Sequence, residues 1–146
     1  MRGFTLLELV LVIAIVAILS IAVAPRFNLS PSGLDAASRK IRSDILYAQS
    51  LAMSRGTVHG LLFRAGVPYL IYQGSPATPI ADPLTHAAFS EDLNRFYRTS
   101  VVNDYQVESD AMGHPTLGGG GSLVIQNGAA QKTISIRSLT GSVTVQ

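Results

Sequence analysis

The chain has 146 residues and a formal net charge of +2; 47% of its residues are hydrophobic and 14% charged, enough apolar mass for one domain of ordinary size. So small a positive surplus is no argument for a nucleic-acid partner. The absence of cysteine excludes disulfide frameworks, thiolate metal sites and cysteine nucleophiles.

The first predicted element is an apolar helix. Between Phe4 and Ala24 the only polar residues are Thr5, Glu8 and Ser20, and these 21 residues would extend about 31 Å as a helix, the thickness of a hydrocarbon core. Apolarity on every face reads as a membrane span or anchor, not as a buried helix of a soluble domain. Glu8 stands out within it, because an ionised side chain in hydrocarbon is costly and calls for a partner. A cleaved secretory signal fits poorly: Pro25 would directly follow the small-residue site at Ala22 and Ala24, and the local punctuation, Arg2-Gly3, lies before the apolar run. Counting basic residues finds Arg2 ahead of the span and Arg26, Arg39, Lys40 and Arg42 after it, which by charge alone places the C-terminal side in the cytoplasm.

Residues 25–33 hold two prolines and a glycine, which predicts a kink or a melted linker. Beyond them Leu34, Ala37, Ile41, Ile45, Ala48 and Ala52 recur at threes and fours, while Arg39, Lys40, Arg42 and Asp44 mostly take the other faces. This predicts an amphipathic helix over 35–55, capped by Asp35, stopped by Gly56 and packed by its stripe on a sheet. Residues 57–64 and 67–73 are rich in β-formers and separated by Ala65-Gly66, a hairpin turn, with Pro68 marking the second strand as an edge or a late starter. Residues 75–83 read as loop, 90–97 as a short capped helix and 100–108 as a further strand. Gly118-Gly119-Gly120-Gly121 reads as a tether or turn, since it lacks the lysine and hydroxyl residue of a phosphate loop. Residues 123–126, 133–137 and 142–145, joined through Asn127-Gly128 and Thr140-Gly141, predict an antiparallel meander.

No spacing points to catalysis. His59 falls in a strand, His86 in a loop and His114 beside a turn, which is neither a metal set nor a triad. Asp104, Glu108 and Asp110 carry oxygen ligands of the kind calcium takes, without the density of a calcium loop. The reading is therefore of a non-enzymatic chain with no catalytic residues, no metal ligands and no cofactor.

Gly3-Phe4-Thr5-Leu6-Leu7-Glu8, followed by the long apolar run, resembles the prepilin motif of type IV pilins and type II secretion pseudopilins. The resemblance implies that a prepilin peptidase cuts between Gly3 and Phe4 and that Phe4 becomes the N-methylated first residue. Glu8, then the fifth mature residue, meets the freed amine of a neighbouring subunit, and Pro25 sits where many pilins kink. Residues 48–56 running into a hairpin, Asp110-Ala111-Met112-Gly113-His114-Pro115, and residues 138–143 before the last strand are similar to the minor pseudopilin H and FimT-type family. The absence of cysteine departs from major pilins that close a C-terminal loop by a disulfide. The implied fold is α+β and pilin-like: a leader of residues 1–3, an assembly helix at 4–24, a linker or kink at 25–33 and a periplasmic domain at 34–146 built on antiparallel sheet. The implied role is a minor subunit of a secretion pseudopilus or a type IV pilus, anchored by a single pass in the bacterial inner membrane, with other pilins, the prepilin peptidase, the inner-membrane assembly platform and membrane lipid as partners. The alternative is a FimT-type tip pilin that binds DNA or a surface. Lys132 and Arg137 are the only basic residues after Arg98, so the sequence gives DNA no support.

Overall fold

The computed structural model describes residues 6–23 and 30–146. Gly3, Phe4 and Pro25, on which the processing and kink expectations fall, lie outside these residues.

Helix α1 covers Leu6–Val23, 18 residues and therefore about 27 Å. Among the described residues no helix is long and apolar enough to cross a membrane. The 21-residue run in the sequence gains its extra length from Phe4, Thr5 and Ala24, outside the described set.

Helix α2 covers Ser30–Arg55, so residues 30–33, expected in the linker, are helical. Pro31 does not prevent this, because the N–H groups of a first helical turn have no intrahelical acceptor and proline gives nothing up there. Asp35 is therefore inside the helix and not its cap; its carboxylate pairs instead with Lys132 at 2.5 Å, whose ammonium holds it below the usual range. Gly56, at φ +65°, ends the helix as expected. The stripe Leu34, Ala37, Ile41, Ile45, Ala48 and Ala52 is buried throughout.

Two four-stranded antiparallel sheets cover that stripe. The first comprises β1 (His59–Phe63), β2 (Leu70–Gln73), β4 (Tyr105–Ser109) and β5 (Pro115–Leu117), in the order β2-β1-β4-β5. The second comprises β3 (Ser100–Val101), β6 (Ser122–Asn127), β7 (Ala130–Ile136) and β8 (Val143–Val145), in the order β3-β6-β7-β8. Strand β2 is the edge that Pro68 foretold. Alternation along β6 and β7 sends Leu123, Ile125, Ile134 and Ile136 inward to meet Ile41 from α2 and Leu61, Phe63 and Ile71 from the other sheet, and this is the core. The molecule is thus an α+β protein with an N-terminal helix followed by a helix packed on antiparallel sheet.

One local expectation changes and one is narrowed. The single strand expected over 100–108 is split between the sheets: Asn103 accepts from the backbone N–H of Val124 (2.7 Å) and donates to the carbonyl of Ser122 (3.1 Å), while Asp104 accepts from the N–H of Ala65 (2.8 Å). These side chains satisfy backbone groups that a continuous ladder would have used, and the chain crosses between sheets there. The glycine tetrad is a packed turn and not a tether. Gly118, at φ +74°, lies so close to the carbonyl of Gln106 that no side chain fits, and the carbonyl of Gly121 accepts from the N–H of Ile136 (3.1 Å).

Candidate functional site

Helix α1 owes its character to what the rest of the chain leaves bare. Every side chain from residue 6 to residue 17 is exposed, Leu6 at 81% and Leu7 at 77%. Nine large aliphatic residues of this stretch face outward, and burying that many is worth on the order of 10 to 20 kcal/mol. An exposed apolar surface of this size marks an interaction site. Glu8 lies in the first turn, where the partial positive charge of a helix N-terminus favours an acid, and its sequence neighbours Leu7, Leu9, Val10, Leu11 and Val12 are all exposed.

The domain holds one buried polar cluster that the sequence did not announce. Asp44 is 6% exposed and accepts from the Lys40 ammonium, one turn away, at 2.7 and 2.8 Å and from the Tyr69 hydroxyl at 2.5 Å. Burial, then the neighbouring Asp44 charge, pushes the Tyr69 phenol far above its ordinary value. A phenol held neutral this firmly donates a hydrogen bond and does not move protons. Its ring packs at a tilt against Phe63 at 4.9 Å and Phe89 at 6.3 Å, and the Lys40 ammonium lies 5.5 Å from the Phe89 ring. The segment between β2 and α3 (Leu93–Tyr97) is thereby strapped to the sheet: Ile80 donates to the Ile71 carbonyl, and Tyr69 and Glu91 exchange both backbone bonds. Only Lys40 and Asp44, four apart on one helix, could have hinted at this in the sequence; Tyr69 is brought to them by the tertiary fold.

The remaining candidates are dispersed. His59 is wholly buried with Nδ1 3.0 Å from the Thr57 carbonyl, His86 is exposed in a loop and His114 is exposed beside β5. Asp104 and Asp110 lie beyond opposite ends of β4, about 20 Å apart along an extended chain. Glu108 accepts from the Tyr72 hydroxyl at 2.7 Å, and Asp110 accepts from the N–H groups of His114 and Met112 at 2.9 Å each, which hold its carboxyl below the usual range. Each acid thus serves a turn or a neighbouring side chain, and among the described residues no group of three or more potential ligands converges on a metal.

A family model described as the prokaryotic N-terminal methylation motif matches residues 1–24. Two crystal structures of the type IV minor pilin FimU from Pseudomonas aeruginosa (strain PAO1) share the fold. The one in space group P65 is 16% identical, covers 77% of this chain and 92% of its own, and superposes with a TM-score of 0.54. The one in P21 is also 16% identical, covers 80% and 90%, and gives 0.56. Among curated proteins no sequence matches significantly.

Proposed function

We propose that this chain, type IV pilin-like in its methylation signal and in its fold, is a minor subunit of a type IV pilus or a type II secretion pseudopilus. A prepilin peptidase cuts between Gly3 and Phe4, Phe4 is N-methylated, and α1 serves first as a membrane anchor and then as the assembly helix. The observation that carries this reading is the contrast within the chain: α2 buries its apolar stripe under its own sheets, while α1 turns every described side chain outward.

Glu8 then has a defined role. In an apolar bundle it meets the amine of a neighbour's Phe4, and the two charges neutralise each other. Such a buried pair adds little net stability over a hydrophobic contact, but leaving one member alone costs about 3 to 5 kcal/mol, so the pair sets the register of assembly. Pro25 supplies a bend at the far end of the helix. The anchor is single-pass in the bacterial inner membrane with the domain in the periplasm; the basic residues after the span do not oppose this, because long following domains translocate largely regardless of charge. The assembly platform and other pilins are the partners. For DNA capture at a tip the last third of the chain offers little, since Lys132 is tied to Asp35 and Arg137 is the basic residue left exposed there.

Mass spectrometry of the mature protein tests the reading. The expected N-terminus is a methylated Phe4. A mature chain that retains Met1 overturns it in favour of a simple anchored domain that never polymerises.

A further inference from the structure

We propose that the end of the domain nearest α1 is a lipid-contacting base that settles on anionic headgroups while the subunit waits in the membrane. This rests on the anchored reading above and adds a surface to it.

Connectivity and packing place that end. Val23 and Ser30 are seven residues apart, so at most about 25 Å of chain separates the end of α1 from the start of α2. The base of the domain cannot lie farther than that from a bilayer holding α1. Helix α3 sits on the first turns of α2: a Cβ on Gly33 would come within 2.5 Å of the Tyr97 carbonyl. Strand β1 follows α2 after three residues and packs along it, and the turn of residues 64–67 lies at its far end, next to the level at which Tyr69 meets Asp44. That turn and α3 are adjacent, since Gly66, Val67, Pro68, Leu93 and Asn94 line one shallow hollow.

What this end displays is a mixture suited to a headgroup layer. Phe96 is 59% exposed, Val67 53% and Val102 43%, and around them Arg64, Arg95 and Arg98 are all exposed. The Arg95 guanidinium lies 5.4 Å from the Phe96 ring, a cation over an aromatic face. The ion pairs Lys40–Asp44 and Lys132–Asp35 do not involve these arginines. Three acids share this end and offset part of the arginines' charge: Asp92 caps α3 by accepting from the N–H groups of Asn94 and Arg95, Asp104 accepts from Ala65, and Glu91 is half-buried beside Asp92. Guanidinium forks match phosphate oxygens, and an aromatic ring among them settles at the interface. The opposite end also exposes apolar residues, Leu139 and Met112, but the segments that carry them meet α2 at Gln49 and Met53, so about 24 to 30 Å of helix separates them from Gly33.

The chain has no cysteine, so a single introduced one reports one place. The full chain is reconstituted in phosphatidylcholine vesicles with and without phosphatidylglycerol, carrying a fluorophore at Phe96→Cys, Leu139→Cys or Ile13→Cys. Headgroup-nitroxide lipids should quench the probe at position 96 several times more than at 139, and more with phosphatidylglycerol present. Each arginine should contribute about fivefold to the partition at low salt, so a combined Arg64→Gln, Arg95→Gln, Arg98→Gln chain should lose the effect. If acyl-chain nitroxides quench position 13 while positions 96 and 139 are quenched equally, the base proposal is overturned and the anchor stands. If position 13 is not quenched, the anchored reading itself fails and takes the base with it. A salt-dependent shift of a DNA oligonucleotide that the triple variant abolishes, with position 96 unquenched by lipid, reassigns the patch to nucleic acid and overturns the proposal as well.

Discussion

Helices α1 and α2 are both long and both carry enough aliphatic residues to need a partner, yet they solve that need in opposite ways. In α2 the apolar residues keep to one stripe, two sheets of the same chain cover it, and Ile41 and Ala52 are fully buried. In α1 they occupy every face, and from residue 6 to 17 nothing is covered. An amphipathic helix states that its partner is on one side and within reach of its own chain; an all-round apolar helix states that its surroundings are apolar on all sides. The same kind of substitution should therefore be read out in different experiments: stability for α2, assembly for α1.

The strongest test of that division is Glu8→Leu. If the carboxylate answers a neighbour's amine, removing it leaves a charge alone in the bundle at about 3 to 5 kcal/mol, which is more than a hundredfold in incorporation. The ratio of subunit in sheared filaments to subunit in the membrane fraction measures it, and the urea midpoint of the domain should not move. Ordinary incorporation would make Glu8 a mere interfacial acid. Next in size is Ile41→Ala. Ile41 is wholly buried among residues of both sheets, so the lost contacts and the cavity should lower unfolding stability by about 3 to 4 kcal/mol. The matched change Ile13→Ala in α1 should leave the midpoint where it was. If both variants unfold alike, the two helices are not the separate systems described.

How much of this was legible before the structure depended on the range of the forces involved. The α2 stripe, the Gly56 stop, the first hairpin and the final meander are local patterns, and each appears where its spacing put it. The start of α2 was misread because proline and glycine between residues 31 and 33 look like a break, whereas at a helix N-terminus Pro31 is tolerated and Gly33 makes the room that α3 needs. The strand expected over 100–108 has β-forming residues at both ends; what divides it is Asn103 reaching 21 residues ahead to Val124, a non-local bond with no sequence signal. The Asp44–Tyr69 pair, 25 residues apart, was hidden for the same reason. As for the site, Glu8 was visible as the single acid of an apolar run, while the hollow shared by α3 and the first hairpin turn joins stretches that lie far apart in the chain and left no local signal.

A smaller effect sharpens the domain half of the comparison. A Cβ at Gly60, in β1, would lie 2.6 Å from both the Tyr72 hydroxyl and the Val107 carbonyl. One neighbour is backbone in the middle of the sheet and cannot yield freely, so Gly60→Ala should cost about 1 to 3 kcal/mol by urea unfolding. An unchanged midpoint would mean that the β1–β4 pairing is looser than its register implies.

The smallest effect is read through pH. Tyr69→Phe removes one hydrogen bond to Asp44, which keeps its Lys40 partner, and should cost about 1 kcal/mol near pH 8. Above pH 10 the comparison should reverse. In the unfolded chain the phenol ionises near its ordinary value, whereas in the native protein burial and the Asp44 charge keep it protonated well beyond that. The unfolded state then binds fewer protons than the native one, so stability falls as pH rises, by about 1.4 kcal/mol per pH unit for this tyrosine. Tyr72, also pushed up chiefly by burial, adds a parallel loss that both proteins share. The variant lacks the Tyr69 part of the slope, so its deficit should shrink above pH 10 and pass to an advantage about one unit higher, followed as urea midpoints against pH. Parallel curves for the two proteins would show that the phenol ionises as readily in the native domain as in the unfolded chain, and the strap between β2 and α3 would then not be held against Asp44 as described.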